Sequence, residues 1–339
     1  MTRWDDLNAR ARGLSTRLLG RAALEGLCRA PDLPAIAAEL QRRGFPIDDP
    51  DRVSAGGLEL AVRRNLGARL ATLIRWAGPR AAALAVLIED EDRRSVSALL
   101  RGATQRAPAE QRLSGLLPTP ELPERALEEL ARQPSAGAVA SLLTVWRHPF
   151  ASTLLPEATK PEPDLLRLET ALGRTFAGRA LAQARRDGRG GILYRYVQQV
   201  IDVANAFAAL MLSTEQAAHV EEQWLSGGGV ISLELFQRAV ATGDPAAAGR
   251  SLAQAFTNRE VGKAFATGGS RQNGLERAVL SAQIDELRQS SRLAPLSSAP
   301  LLSYALRLRA EALDLRWLLW GHRLGAPPLA LVEGLVTAQ

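Results

Sequence analysis

Cysteine is almost missing: Cys28 stands alone among 339 residues. A single thiol can close no internal disulfide and cannot hold a zinc ion by itself, which suits a reducing compartment. Long apolar runs are missing too. The longest, Ala81 to Ile88, is eight residues, far short of the roughly 18 to 20 that span a bilayer. The opening MTRWDDLNARARG lacks the apolar stretch of a secretory signal, so the expected location is the cytoplasmic side. Lysine is nearly absent as well. Of 42 basic residues only Lys160 and Lys263 are lysines, and 36 acids leave a net charge of only +6 despite a pI near 10.3. Arginine raises a calculated pI through its high pKa without creating a basic face. The arginines are interspersed with acids, which argues against a nucleic-acid stripe.

Catalytic and ligand-binding patterns are also scarce. His148, His219 and His322 are far apart and lack metal-ligand spacing, which predicts surface or capping roles. Gly188-Arg189-Gly190-Gly191 and Gly227-Gly228-Gly229 have neither the Walker lysine nor the Gly-x-Gly-x-x-Gly spacing, and read as loops. The acidic run Glu89-Asp90-Glu91-Asp92 lacks the glycine turn of a calcium loop and reads as a solvated helix face. Trp4, Trp76, Trp146, Trp224, Trp317 and Trp320 are scattered and form no stacking platform for bases. No cofactor and no metal are expected.

What the chain does have is helix. Apolar residues make up 46% and charged residues 23%, as in a folded soluble protein, and the length exceeds one small core. Val197, Val200, Ile201, Ala204, Phe207, Ala208 and Met211 recur at spacings of three and four, as do Tyr304, Leu308, Ala312, Leu315 and Leu319. Alternation of strand type is nearly absent, so the fold class is all-α. Asp32 and Asp244-Pro245 read as helix starts, the aspartate capping and proline occupying the first helical position. Ser213 with Gln216 reads as a capping box opening a helix through Val220.

The helices repeat. Leu58-Glu59-x-Ala61-Val62, Leu168-Glu169-x-Ala171-Leu172 and Leu275-Glu276-x-Ala278-Val279 share one pattern, their glutamates 110 and 107 residues apart. An acid follows each glutamate by 33, 33 and 35 residues, at Asp92, Asp202 and Glu311. Val96, Ala206 and Leu315 keep the register, as do Leu99-Leu100, Ala209-Leu210 and Leu318-Leu319. Upstream of each glutamate lie two amphipathic segments joined by a turn, at 24–40, 126–143 and 235–252. Three tandem helical bundles of about 110 residues are expected, at 1–112, 113–222 and 223–339. Such a period is much longer than that of the common helical solenoids, although a generic helical scaffold for protein–protein contact remains an alternative.

Leu7-Asn8-Ala9-Arg10-x-Arg12, the segment Asp92 to Arg101, and Ala305-Leu306-Arg307-x-Arg309-Ala310-Glu311-Ala312 through Trp320-Gly321 together resemble the C-type central-stalk component of V/A-type rotary ATPases, known as the d-type component in eukaryotes. The family asparagine is Ser95 in the first copy and Asn205 in the second, and Asp5-Asp6 replaces the aromatic that usually precedes the opening motif. The resemblance covers essentially the whole chain. It implies a non-catalytic rotor part: a pseudo-threefold funnel on the cytoplasmic face, coupling the rotating shaft to the membrane rotor ring. The implied partners are the shaft subunits and the proteolipid ring, with the membrane stator nearby. Arg64, Arg69, Arg174 and Arg179, spaced 110 apart in two pairs, are the candidate partner contacts, with ion pairs along helix surfaces as the plainer reading.

Overall fold

The computed structural model describes residues 4–48, 53–188, 190–214, 220–268 and 272–337. Among them there are seventeen α-helices and no strand. The first stretch carries α1 (Asp5–Ser15), α2 (Arg21–Cys28), α3 (Leu33–Arg42), α4 (Ala55–Ala77), α5 (Ala81–Thr104) and α6 (Ala109–Leu113). Next come α7 (Glu124–Ala131), α8 (Ala136–Val145), α9 (Ala151–Ala158), α10 (Leu165–Ala184) and α11 (Ile192–Leu212). The last stretch carries α12 (Leu233–Val240), α13 (Pro245–Ala253), α14 (Arg259–Gly268), α15 (Gln272–Leu293), α16 (Ala299–Arg323) and α17 (Pro328–Glu333).

The local chemistry repeats with the sequence. Asp32 caps α3 by accepting the Ala35 N–H, Ser135 caps α8 through the Ala138 N–H, and Asp244 caps α13 through the Ala247 N–H. Each cap satisfies at least one of the four free amides that every helix start leaves over, an effect of about 1 kcal/mol. Pro245 follows at the first helical position, where its missing N–H costs no hydrogen bond. Ser213 instead ends α11, and its partner in the expected capping box, Gln216, lies outside the described residues.

The chain divides into two compact units. Among the described residues, one holds Pro79–Leu116 and Glu121–Ala282, and the other joins residues 4–78 with Leu117–Pro120 and residues 283–337. In the first unit α5 runs along α10, and α7 and α8 pack on α5. A second core of that unit gathers Ala206, Ala209 and Leu210 of α11, Phe236 and Ala239 of α12, Leu252 of α13, Phe265 of α14, and Leu275 and Val279 of α15. Phe256 stacks on Phe265 with centroids 5.3 Å apart. In the second unit α16 runs along α4, with α1 against both and α2 beneath α16 and α17.

Candidate functional site

The repeated glutamates sit near the starts of α4, α10 and α15, and the first two reach for a long neighbouring helix. Glu59 of α4 accepts the Trp320 indole N–H at 2.6 Å and lies 3.6 Å from Arg316, both on α16. Glu169 of α10 accepts the Ser97 hydroxyl at 2.9 Å and pairs with Arg101 at 2.5 Å, both on α5. Arg316 and Ser97 hold one repeat position, and Trp320 and Arg101 hold another. Thus the same contact is made twice with different chemistry. Glu276 in the third copy is exposed.

The repeated acid further on carries a second shared contact. Asp202, 2% exposed, accepts the N–H groups of Gly229 at 2.8 Å and Ile231 at 2.9 Å, with Val230 at 3.1 Å. Glu311, 4% exposed, accepts the Leu19 N–H at 2.5 Å. Ile231 lies two residues ahead of α12 and Leu19 two residues ahead of α2, so one acid position fastens the entry to a short-helix pair in both places. One turn later, Asn205 exchanges two hydrogen bonds with the Leu225 backbone, and Asp314 accepts the N–H groups of Val336 at 2.6 Å and Thr337 at 2.9 Å. Burial pushes the Asp202 carboxyl up against the pull of its backbone donors, and burial likewise pushes Glu311 up against the pull of Arg69.

The surroundings explain two of the three consecutive glycines. A side chain on Gly228 would drive its Cβ into the Asp202 carboxylate, and Gly227 sits at φ 101° with no room for a Cβ beside Leu181. Consecutive N–H groups of such a loop form a concavity for an anion. Here the anion is the chain's own Asp202.

The four candidate arginines occupy α4 and α10. Arg64 pairs with Asp48 at the surface. Arg174 donates to the Glu222 carbonyl. Arg69 pairs with Glu311 at 3.1 Å, with side chains 13% and 5% exposed, and its guanidinium lies over the Phe45 ring. Arg179 meets Glu89 through two hydrogen bonds, at 3.1 and 2.8 Å, with Gln183 donating to the same carboxylate. That bidentate bond raises the Arg179 pKa.

Two sequence expectations are corrected. The run Glu89–Asp92 is not a solvated face: Glu89, Asp90 and Asp92 are buried, because Arg179 and Gln183 take Glu89 while Arg93 and Arg94 take Asp90 at 2.7 and 3.0 Å. His148 is also buried, 3.8 Å from Asp92 and against Phe150, so it is not a surface residue; its Nδ1 accepts the Phe150 N–H at 3.4 Å just ahead of α9. His322 does serve an end, its Nε2 lying 3.0 Å from the Leu27 carbonyl in the last turn of α2. His219 lies outside the described residues. Among the described residues no group of His, Cys, Asp or Glu has the arrangement of a metal site, and no helix is long and apolar enough to cross a membrane.

Residues 7–330 match the sequence profile of the ATP synthase (C/AC39) subunit. The chain belongs to that family. The match takes in both repeated acids, the glycine cradle and the Asn8 motif together. Members are subunits of the central stalk of V/A-type ATPases and are accessory to the catalytic subunits. No curated protein matches the chain.

Proposed function

We propose that this family member is the socket between the rotating shaft and the membrane rotor ring, coupling the nucleotide head to ion transport. The observation that carries the reading is the family match over residues 7–330. The proposal includes three bundles, divided in sequence at 112/113 and 222/223, set around a pseudo-threefold funnel on the cytoplasmic face. The repeated latch supports it: the acid of the middle copy holds the third copy's entry, and the acid of the last copy holds the first copy's entry. Copies that fasten one another in sequence are what torque transmission asks of a stiff part. The membrane ring and the shaft are the proposed partners, with the stator alongside. Arg64, Arg69, Arg174 and Arg179 are the residues proposed for those contacts, Arg69 and Arg179 while also held by Glu311 and Glu89.

The test is uncoupling. Complexes lacking this chain, reconstituted in vesicles, should keep ATP hydrolysis in the head and lose ATP-driven ion pumping, followed with a pH-sensitive dye or tracer sodium. Re-adding the purified chain should restore pumping. Vesicles that pump at the full rate without it would refute the coupling role and favour a generic scaffold.

A further inference from the structure

Two long-helix seams of the repeat are latched by its glutamate. Glu59 takes Trp320 and Arg316 across α4 and α16, and Glu169 takes Ser97 and Arg101 across α10 and α5. By the same register Glu276 of α15 should reach for α11. The two helices do share a core, since Leu275, Val279 and Ala282 lie in one apolar cluster with Ala206, Ala209 and Leu210. The latch is nevertheless missing. The positions of Ser97 and Arg101 are held in α11 by Phe207 and Met211, and neither side chain can donate to a carboxylate. Phe207 instead meets Phe265 of α14 edge-on, with centroids 5.3 Å apart, and Met211 is 47% exposed. Glu276 is exposed and makes no hydrogen bond or ion pair with any described residue.

The apolar contact behind this seam is shorter as well. Along α4 buried residues run from Ala55 to Ala77, and along α10 from Leu168 to Ala184, each helix lying wholly in one compact unit. By contrast α15 belongs to the unit of α11 only as far as Ala282, and from Gln283 it belongs to the other. The residues of α11 in the shared core include two alanines, which bury little area each. The entry to α12, on the other hand, is tied to α11 through the three backbone bonds of Asp202. The third set of helices is thus fastened to α11 at its start and unlatched at its far end.

We infer that the seam between α11 and α15 is a built-in opening: the first half of α15 parts from α11 in the native protein while the seams of α4 with α16 and of α10 with α5 stay shut. Local openings begin where few buried contacts hold two elements together. Where a carboxylate bridges the seam, its charge-assisted bonds must break before the helices part. At the third seam only apolar contact resists, and opening uncovers Leu275 and Val279 while Asp202 keeps α12 in place. Such opening is a property of the free chain, whether or not it joins a shaft to a ring.

The test is hydrogen exchange of the full-length chain, followed by mass spectrometry and expressed as protection factors. Residues 275–282 should be about tenfold less protected than the middles of α4 and α10, the factor expected for one lost latch and a shorter core. Met211→Arg restores the cation that Arg101 supplies at the equivalent position, and should raise protection of 275–282 about threefold while leaving α4 as in the parent. Glu276→Gln alone should change nothing, and combined with Met211→Arg it should cancel the gain. Arg101→Met should lower the protection of α10 by a similar factor, showing the same latch from the other side. Protection of 275–282 equal to that of α10 in the parent overturns the inference, and this comparison decides the matter even if Met211→Arg does not fold. A gain from Met211→Arg that survives Glu276→Gln overturns it too, because the missing latch would then not be what sets the opening.

Discussion

Arg69 and Arg179 occupy the same place in two copies of one repeat and live in different surroundings. Arg69 is 13% exposed and faces a carboxylate 5% exposed, whereas Arg179 is 43% exposed and faces one 9% exposed. The partner acids differ too, Glu311 on α16 and Glu89 on α5. Repetition therefore fixed the cation and the packing of two long helices, and left each copy to supply its own anion. What the pair contributes then follows from burial rather than from sequence position.

The comparison breaks most visibly on truncation. Arg69→Ala leaves Glu311 buried with only a backbone donor, and a loss of about 3–5 kcal/mol is expected in denaturant unfolding. Arg179→Ala leaves Glu89 with Gln183 and a route to water, and about 1 kcal/mol is expected. Equal losses at the two sites would show that burial does not set the difference.

A smaller effect separates charge from shape at Asp202. Its folded pKa lies above its ordinary value because burial outweighs the backbone donors. The stability this shift contributes is therefore complete below the unfolded carboxylate value and is lost as pH rises through the raised folded value. Asp202→Asn cannot titrate. It should be less stable than the parent by about 1–3 kcal/mol at low pH, through lost backbone bonds, and the gap should narrow as pH rises to neutrality. A gap that widens would reverse the assigned balance between burial and hydrogen bonding. The smallest effect belongs to Arg64→Ala. Its partner Asp48 is 70% exposed, so a change within about 1 kcal/mol is expected, fading with added salt.

Much of the architecture is legible in the sequence because it is periodic. Helical spacing around Tyr304 and Tyr194 marks α16 and α11, and the caps at Asp32 and Asp244 are readable from residue type alone. The registers of Glu59, Glu169, Asp92, Asp202 and Glu311 are visible as spacing, but their purpose is not. Asp202 meets donors 27 to 29 residues away, and Glu311 meets one 292 residues away; no local pattern announces such partners. The acidic run at 89–92 misleads for a different reason. Arg93 and Arg94 stand three and four residues beyond Asp90, a spacing that places cation and anion on one helix face, and that signal is local. Arg179 and His148, which complete the neutralisation, come from other helices.

The unit built from both ends of the chain has a consequence for its synthesis. The helices α1 to α4 must wait for the segment from Gln283 onward, so α4 leaves the ribosome about 220 residues before the helix that covers it, at a usual pace of ~5–20 residues per second. Throughout that interval Leu58, Leu66 and Leu73 of α4, buried in the finished protein, lack the side chains of α16. The other unit, interrupted in sequence only by Leu117–Pro120, suffers no such delay and can fold while translation continues. Birth order and topology together thus give the chain a late closing step, in which its last long helix seals its first.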